Sequence, residues 1–229
     1  MPGFDLIIFD CDGVLVDSEI IAAQVESKLL TEAGFPIEPE EMAERFAGLT
    51  WKDILFEVER QSSIPLSAQL IDASEKILDK KLATEVQPID GVAEAIARIG
   101  GQRCVCSNST RHRLKAMLAR TGLDRLFGDH VYSARDLGEG RTKPAPDVFL
   151  HGAAQFKVDP SNVLVVEDSV HGVQGAKAAG MRVVGFTGGS HSFPGHAEQL
   201  TEAGAETVIS RMRDLPATVE ALAAWSELM

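Results

Sequence analysis

The sequence predicts an α/β fold: a Rossmann-like doubly wound parallel sheet with an inserted all-helical domain. Three observations predict it. Short apolar runs rich in Val and Ile recur along the chain, continuous rather than alternating, as strands covered on both faces require. Helical patterns opened by proline or closed by glycine lie between them. One long stretch after the first strand holds helical patterns only.

Leu6-Ile7-Ile8-Phe9 reads as the first strand. Amphipathic patterns then cover Ser18–Ala33, Glu40–Phe46, Trp51–Gln61 and Ser67–Thr84, broken at Gly34-Phe35-Pro36, at Gly48 and at Ile64-Pro65. This divides the chain into an α/β core of residues 1–16 and 87–229 and a helical domain of residues 17–86, hinged near Asp17–Ser18 and Val86–Pro88. The alternation resumes with a helix over Gly91–Ile99 and a strand at Cys104-Val105-Cys106. A helix over Thr110–Thr121 stops at Gly122. His130-Val131-Tyr132 follows as a strand, and Pro146–Phe156 as a helix with proline in its first turn, where the missing N–H is harmless. Val163-Leu164-Val165-Val166, a helix over Val170–Ala179 ending at Gly180, Arg182–Phe186 and Thr207-Val208-Ile209 complete the pattern.

Composition narrows the function classes. A hydrophobic fraction of 45% and a charged fraction of 24% exclude disorder and a disulfide-built miniature fold. The 34 acidic residues outnumber the 22 basic ones, for a net charge of −12, which disfavours a nucleic-acid polymer or an anionic membrane as partner. No apolar run approaches the ~20 residues of a membrane span. Cys11, Cys104 and Cys106 sit in apolar runs and are expected to be buried and unpaired. Met1–Phe9 lacks the basic start of a signal peptide, so a reducing, cytoplasmic setting is expected.

Ligands of open α/β sheets bind beyond the carboxyl ends of the strands. The first strand is followed there by Asp10, Asp12 and Gly13, the second by Ser107, Asn108 and Ser109, and the Val163 run by Glu167, Asp168 and Ser169. Lys143 precedes the helix that starts near Pro146. Four carboxylates in one crevice repel one another unless a cation neutralises them, and hard oxygen donors suit Mg²⁺.

The run Phe9-Asp10-Cys11-Asp12-Gly13-Val14-Leu15-Val16-Asp17-Ser18-Glu19 resembles the first motif of the haloacid dehalogenase superfamily. Ser107-Asn108-Ser109 resembles its second motif, Lys143-Pro144 its third and Glu167-Asp168-Ser169 its fourth. The helical insertion stands where that superfamily carries a helical cap of subclass I. The resemblance implies a Mg²⁺-dependent phosphatase acting on a small phosphorylated sugar or sugar acid. Asp10 would be the nucleophile that forms an aspartyl-phosphate. Asp12 would protonate the leaving alcohol and then take a proton from the attacking water. Lys143 would pair with Asp10 and a phosphoryl oxygen. Ser107, Asn108 and nearby amides would hold phosphoryl oxygens at a helix N-terminus. Mg²⁺ would be held by Asp10, the Asp12 carbonyl and Asp168, with Glu167 direct or through water.

β-Phosphoglucomutases resemble the same pattern and are the alternative reading. The resemblance implies a cap histidine and a cap arginine in those mutases, where this chain has Ala22 and, in Gly48-Leu49-Thr50-Trp51, no arginine. Gly48, Trp51 and Lys52 are the expected substrate-facing cap residues. Arg111 and Arg113, after the second motif, are further candidates for phosphate. A halide-displacing enzyme would not need Asp12, and a non-catalytic binding relative would not need the full set. None of the 6 histidines shows metal-ligand spacing; all are expected to be structural or on the surface, with His171 nearest the site in sequence. The Gly- and Ser-rich stretch Thr187–Gly195 reads as a connection, and a monomer is expected.

Overall fold

The computed structural model describes residues 3–46, 51–62 and 68–226. Among them, β1 (Leu6–Phe9), β2 (Gln102–Ser107), β3 (Val131–Ser133), β4 (Val163–Glu167), β5 (Arg182–Phe186) and β6 (Thr207–Ile209) form one sheet in the order β3-β2-β1-β4-β5-β6. Every pairing is parallel. The order reverses between β1 and β4, so the crevice of a doubly wound fold opens beyond their carboxyl ends. Phe9 lies opposite Val105 of β2 and Val166 of β4. That register brings the residues after Phe9 and Val166 to the same edge, and Asp10 N donates to Val166 O at 3.0 Å.

Successive strand residues point to opposite faces, and β1 divides accordingly. Ile7 and Phe9 join Val105, Ile96, Leu114, Met117 and Leu215 on one face. Leu6 and Ile8 join Cys104, Cys106, Phe149, Val173 and Leu200 on the other. The first face is covered by α5 (Val92–Arg98), α6 (Arg111–Thr121) and α11 (Leu215–Ser226), the second by α8 (Asp147–Phe156), α9 (Val170–Ala178) and α10 (His196–Ala203). A short α7 (Asp124–Phe127) adds Phe127, whose ring meets Phe9 edge-on. The three cysteines are buried and free.

Between β1 and α5 stand α1 (Glu19–Glu32), α2 (Pro39–Arg45), α3 (Trp51–Ser62) and α4 (Ala68–Glu85). They enclose an apolar centre of their own, with Leu30, Ile37, Met42, Phe46, Ile54 and Val58. Two backbone bonds join the strand where this insertion leaves and returns: Asp17 N donates to Gln87 O at 2.9 Å and Ile89 N to Leu15 O at 3.0 Å. The helix α4 rests on α6, with Arg113 Nε 2.7 Å from Asp79 Oδ1 and Arg120 Nε donating to Thr84 O at 3.0 Å.

The six expected strands are present, with β2 longer at both ends than its apolar run, so Ser107 falls inside the strand. Helices α7, α10 and α11 lie outside the expected pattern. The first is a four-residue turn, too short for a period. The second starts after Gly195 with no side-chain cap; the third opens on Leu215-Pro216 directly after Asp214, a start signal outside the expected pattern. No helix among the described residues is long and apolar enough to cross a membrane.

Candidate active site

The site is assembled by strand ends. Asp10 follows β1 and is buried, as are Glu167 and Asp168 at the end of β4 and Lys143 on the loop before α8. The Lys143 ammonium bonds Asp10 Oδ1 and, at 2.6 Å, Glu167 Oε1. Its Nζ also stands 5.0 Å from the centre of the Phe149 ring. Burial alone would lower the pKa of Lys143, but Asp10 and Glu167 outweigh it and hold the group above its usual value, fully protonated. Burial pushes the Asp10 carboxyl well above the usual carboxylate range. Lys143 pulls it back, while Glu167, Asp168 and Asp12 push it up again. Two buried carboxylates, Asp10 and Glu167, thus share one ammonium, with the buried Asp168 close by.

Asp12 is half-buried and held by three hydroxyls. Ser18 donates to Oδ1 at 2.8 Å, and Ser107 and Ser109 donate to Oδ2 at 3.1 and 2.8 Å. The intervening turn depends on Gly13, whose φ is +73°. A Cβ there would lie 1.9 Å from Asp168 Oδ2. The Ser107 hydroxyl also accepts from Ser109 N at 3.0 Å, so it bridges the second motif to Asp12. Asn108 clasps the lysine loop: its Oδ1 accepts from Lys143 N at 2.8 Å and its Nδ2 donates to Lys143 O at 3.4 Å. The structure therefore brings Asp10, Lys143, Glu167 and Asn108 into one bonded group and Asp12, Ser107 and Ser109 into another at the same sheet edge, with Asp168 next to Glu167.

Glu167 has both oxygens engaged. Oε1 takes Lys143, and Oε2 accepts from Ser169 N at 2.9 Å and Ser169 Oγ at 3.0 Å. The Ser169 hydroxyl in turn caps α9 by accepting from Gly172 N at 3.0 Å. Gly172 leaves the room this requires, since a Cβ would come within 1.8 Å of Glu167 Oε1.

Asp168 carries the unexpected contact. His191 Nε2 stands 3.0 Å from its Oδ2, and His196 Nε2 bonds its main-chain oxygen at 2.7 Å. Burial would lower the pKa of His191, but the hydrogen bond and charge of Asp168, with Glu19 and Asp17 nearby, push it up to about 9. Burial lowers that of His196. Among the histidines expected to be structural or on the surface, His191 thus contacts a site carboxylate, whereas His171, nearest the site in sequence, is exposed. The stretch Thr187–Gly195 is more than a connection, because Ser190 binds Asp17 through its N–H (3.0 Å) and its hydroxyl. The strand-end rule would have found both residues had it been applied to β5.

The cap residues are less gathered. Gly48 lies outside the described residues. Trp51 packs against the apolar centre of the insertion, and Lys52 is exposed, its ammonium 5.7 Å from the Phe56 ring centre. Arg111 pairs with Asp136 at 2.7 Å and Arg113 with Asp79, so both guanidinium groups have acidic partners.

No cluster of three or more His, Cys, Asp or Glu side chains at metal-holding spacing occurs among the described residues. The donors the site offers a cation are the carboxylates of Asp10 and Asp168 and main-chain oxygens near Asp12. Such an oxygen set suits a cation that keeps part of its water shell.

Residues 7–186 match the family model of haloacid dehalogenase-like hydrolases. The 6-phosphogluconate phosphatase of Escherichia coli K12 is 29% identical over 198 residues, covering 85% of this chain and 87% of the relative. Hexitol phosphatase B of the same organism is 31% identical over 185 residues, covering 77% and 81%. Among solved structures, a conserved haloacid dehalogenase-like protein of unknown function from Agrobacterium tumefaciens C58 superposes with a TM-score of 0.92 at 67% identity, over 96% of this chain and 100% of that one. A HAD family hydrolase from Deinococcus radiodurans R1, with bound phosphate and sodium, gives 0.81 at 34% identity over 98% of both chains. The ordered strand-end motifs, the parallel sheet and these matches agree: the chain belongs to the haloacid dehalogenase-like hydrolase family.

Proposed function

We propose that the protein is a Mg²⁺-dependent phosphatase that hydrolyses a small phosphorylated sugar or sugar acid through an aspartyl-phosphate on Asp10. The observation that carries the reading is the pairing of two unlike aspartates: Asp10, buried against Lys143, and Asp12, two residues on, held by three hydroxyls. The relatives named as 6-phosphogluconate phosphatase and hexitol phosphatase support the substrate class.

Asp10 attacks phosphorus, and the bond from phosphorus to the leaving oxygen breaks. Asp12, as general acid, gives a proton to that oxygen. Water then attacks phosphorus of the aspartyl-phosphate while Asp12 takes a proton from it; the bond from phosphorus to the Asp10 oxygen breaks, and inorganic phosphate leaves with Asp10 restored as carboxylate. Lys143 favours the ionised form of Asp10 against the opposing effect of burial and stabilises charge gathering on the phosphoryl oxygens. Glu167 and Asn108 hold Lys143 by its ammonium and its backbone. Ser107 steers Asp12 while staying close enough to meet a phosphoryl oxygen. The excess of buried carboxylate over ammonium fits a divalent cation, which Asp10, Asp168 and the Asp12 carbonyl would hold, with Glu167 reaching it through water. When bound, Mg²⁺ supplies the positive charge that lets a carboxylate approach a phosphate dianion. The proposed working form is a monomer in a cytoplasmic setting, with no nucleic-acid or membrane partner.

The test is phosphate release from a panel of sugar, sugar-acid and nucleotide monophosphates, with Mg²⁺ and with chelator. Metal-dependent release, strongest on a phosphorylated sugar or sugar acid, is expected. Asp10→Asn should abolish turnover and leave the fold intact; substantial residual activity overturns the nucleophile assignment. Conversion of glucose 1-phosphate to glucose 6-phosphate with little free phosphate would establish the mutase reading instead. No turnover on any substrate, with stability unchanged by Mg²⁺, would establish a binding relative.

A further inference from the structure

We infer that His191 is a positioning residue for Asp168, and that Ser190 anchors it to the root of the helical insertion. The inference rests on the proposed reading of Asp168 as a cation ligand. Three observations carry it. His191 Nε2 lies 3.0 Å from Asp168 Oδ2, and its Nδ1 is buried without a hydrogen-bond partner, so the ring is held in place through Nε2 and packing. Space for the ring is made by two glycines: a Cβ on Gly13 would stand 2.7 Å from His191 Cε1, and one on Gly189 would stand 2.7 Å from His191 Nδ1. The residue before it, Ser190, grips Asp17 at both carboxylate oxygens, and Asp17 N bonds Gln87 O where the insertion returns.

A carboxylate that binds a cation through one oxygen can rotate unless the other is tied. The bond to His191 sets that rotation at Oδ2 and so decides where the second oxygen stands. The main-chain oxygen of Asp168 is tied separately by His196, so the backbone and the carboxylate are held by different rings. The dipeptide Ser190-His191 therefore links two places far apart in sequence: the exit strand of the insertion and the end of β4. A shift of the insertion root at Asp17 would reach Asp168 through one peptide unit.

The experiment measures Mg²⁺ affinity directly, by the thermal stabilisation of the protein titrated with Mg²⁺ alone, beside phosphatase kinetics. His191→Phe keeps a ring and removes the donor. It should raise the apparent Mg²⁺ dissociation constant about 10-fold or more. His191→Gln, which restores a donor, should recover much of that loss. Ser190→Ala should give a smaller loss in the same direction. A His191→Phe protein that melts lower in the absence of metal but binds Mg²⁺ like the wild type overturns the inference while leaving the proposed function standing. If His191→Phe does not fold, His191→Gln and Ser190→Ala decide: two variants with wild-type Mg²⁺ affinity overturn it. A wild-type protein that shows no Mg²⁺ stabilisation overturns the reading of the site and, with it, this inference.

Discussion

The end of the sheet and the helical insertion are built on opposite economies of contact. At the sheet end nearly every polar atom is spoken for: Lys143 joins two carboxylates, Glu167 uses both oxygens, and Asp12 holds three hydroxyls. In the insertion, Lys52 rests over the exposed Phe56, and α4 meets the core through ion pairs such as Arg113–Asp79 and Arg135–Glu75. The first region must hold reacting atoms to fractions of an ångström. The second, on the proposed function, would accommodate a leaving group and let it go. On the proposed function, the difference separates chemistry, written by residue identity at fixed strand ends, from selectivity, which the insertion would supply.

The sharpest way to break this comparison is at Lys143. Lys143→Met leaves Asp10 and Glu167 facing each other in a buried site. Turnover should fall about 10³-fold or more, and stability at pH 8 by about 3 kcal/mol, measured by phosphate release and urea unfolding. The stability loss should shrink at pH 5, because protonating Asp10, whose pKa burial already raises, relieves the repulsion. Next is Gly13→Ala. A methyl group 1.9 Å from Asp168 Oδ2, on a residue with φ +73°, forces the turn to move. Activity should fall about 100-fold with a stability loss on the order of 1–3 kcal/mol, read from kinetics and thermal melting.

Glu26, on α1, sharpens the comparison from the other side. Burial and the nearby charge of Glu19 push its pKa up to about 8, against the pull of Arg113, which is itself paired with Asp79. The folded chain therefore keeps a proton there that the unfolded chain releases near pH 4.5. Its contribution to stability is complete below that value and is lost as the pH rises through 8. Glu26→Gln should match the wild type at pH 5 and exceed it at pH 9 by on the order of 1 kcal/mol in urea unfolding. The smallest effect is expected at Lys52→Ala. An exposed ammonium over an exposed ring should change stability by less than about 0.5 kcal/mol and leave kcat unchanged. A large rise in KM for phosphorylated sugar acids alone would show that Lys52 reads the leaving group.

The parallel sheet was legible because its strands are buried on both faces, so Leu6–Phe9 and Val163–Val166 stand out as unbroken apolar runs. The acidic and hydroxyl residues just past those runs were legible for the same reason. Asn108 was visible as a site residue, but its clasp on the Lys143 backbone depends on two loops meeting, which spacing does not encode. His191 was missed because its partner, Asp168, belongs to a different strand end. A Gly- and Ser-rich loop looks like slack until the close approach of Gly13 and Gly189 shows why those glycines are there. Helix α10 was hidden by a glycine start, and the position of Lys52 over Phe56 was not visible in its motif spacing.

The paired backbone bonds between Leu15–Asp17 and Gln87–Ile89 have a consequence for the insertion between them. The two ends of the insertion already touch, so everything between them is, topologically, an excursion from a closed stem. Each doubling of such a loop costs only about 0.6 kcal/mol in closure entropy. The excursion can therefore be lengthened or exchanged at small closure cost while the two aspartates before the stem stay in register with the rest of the sheet.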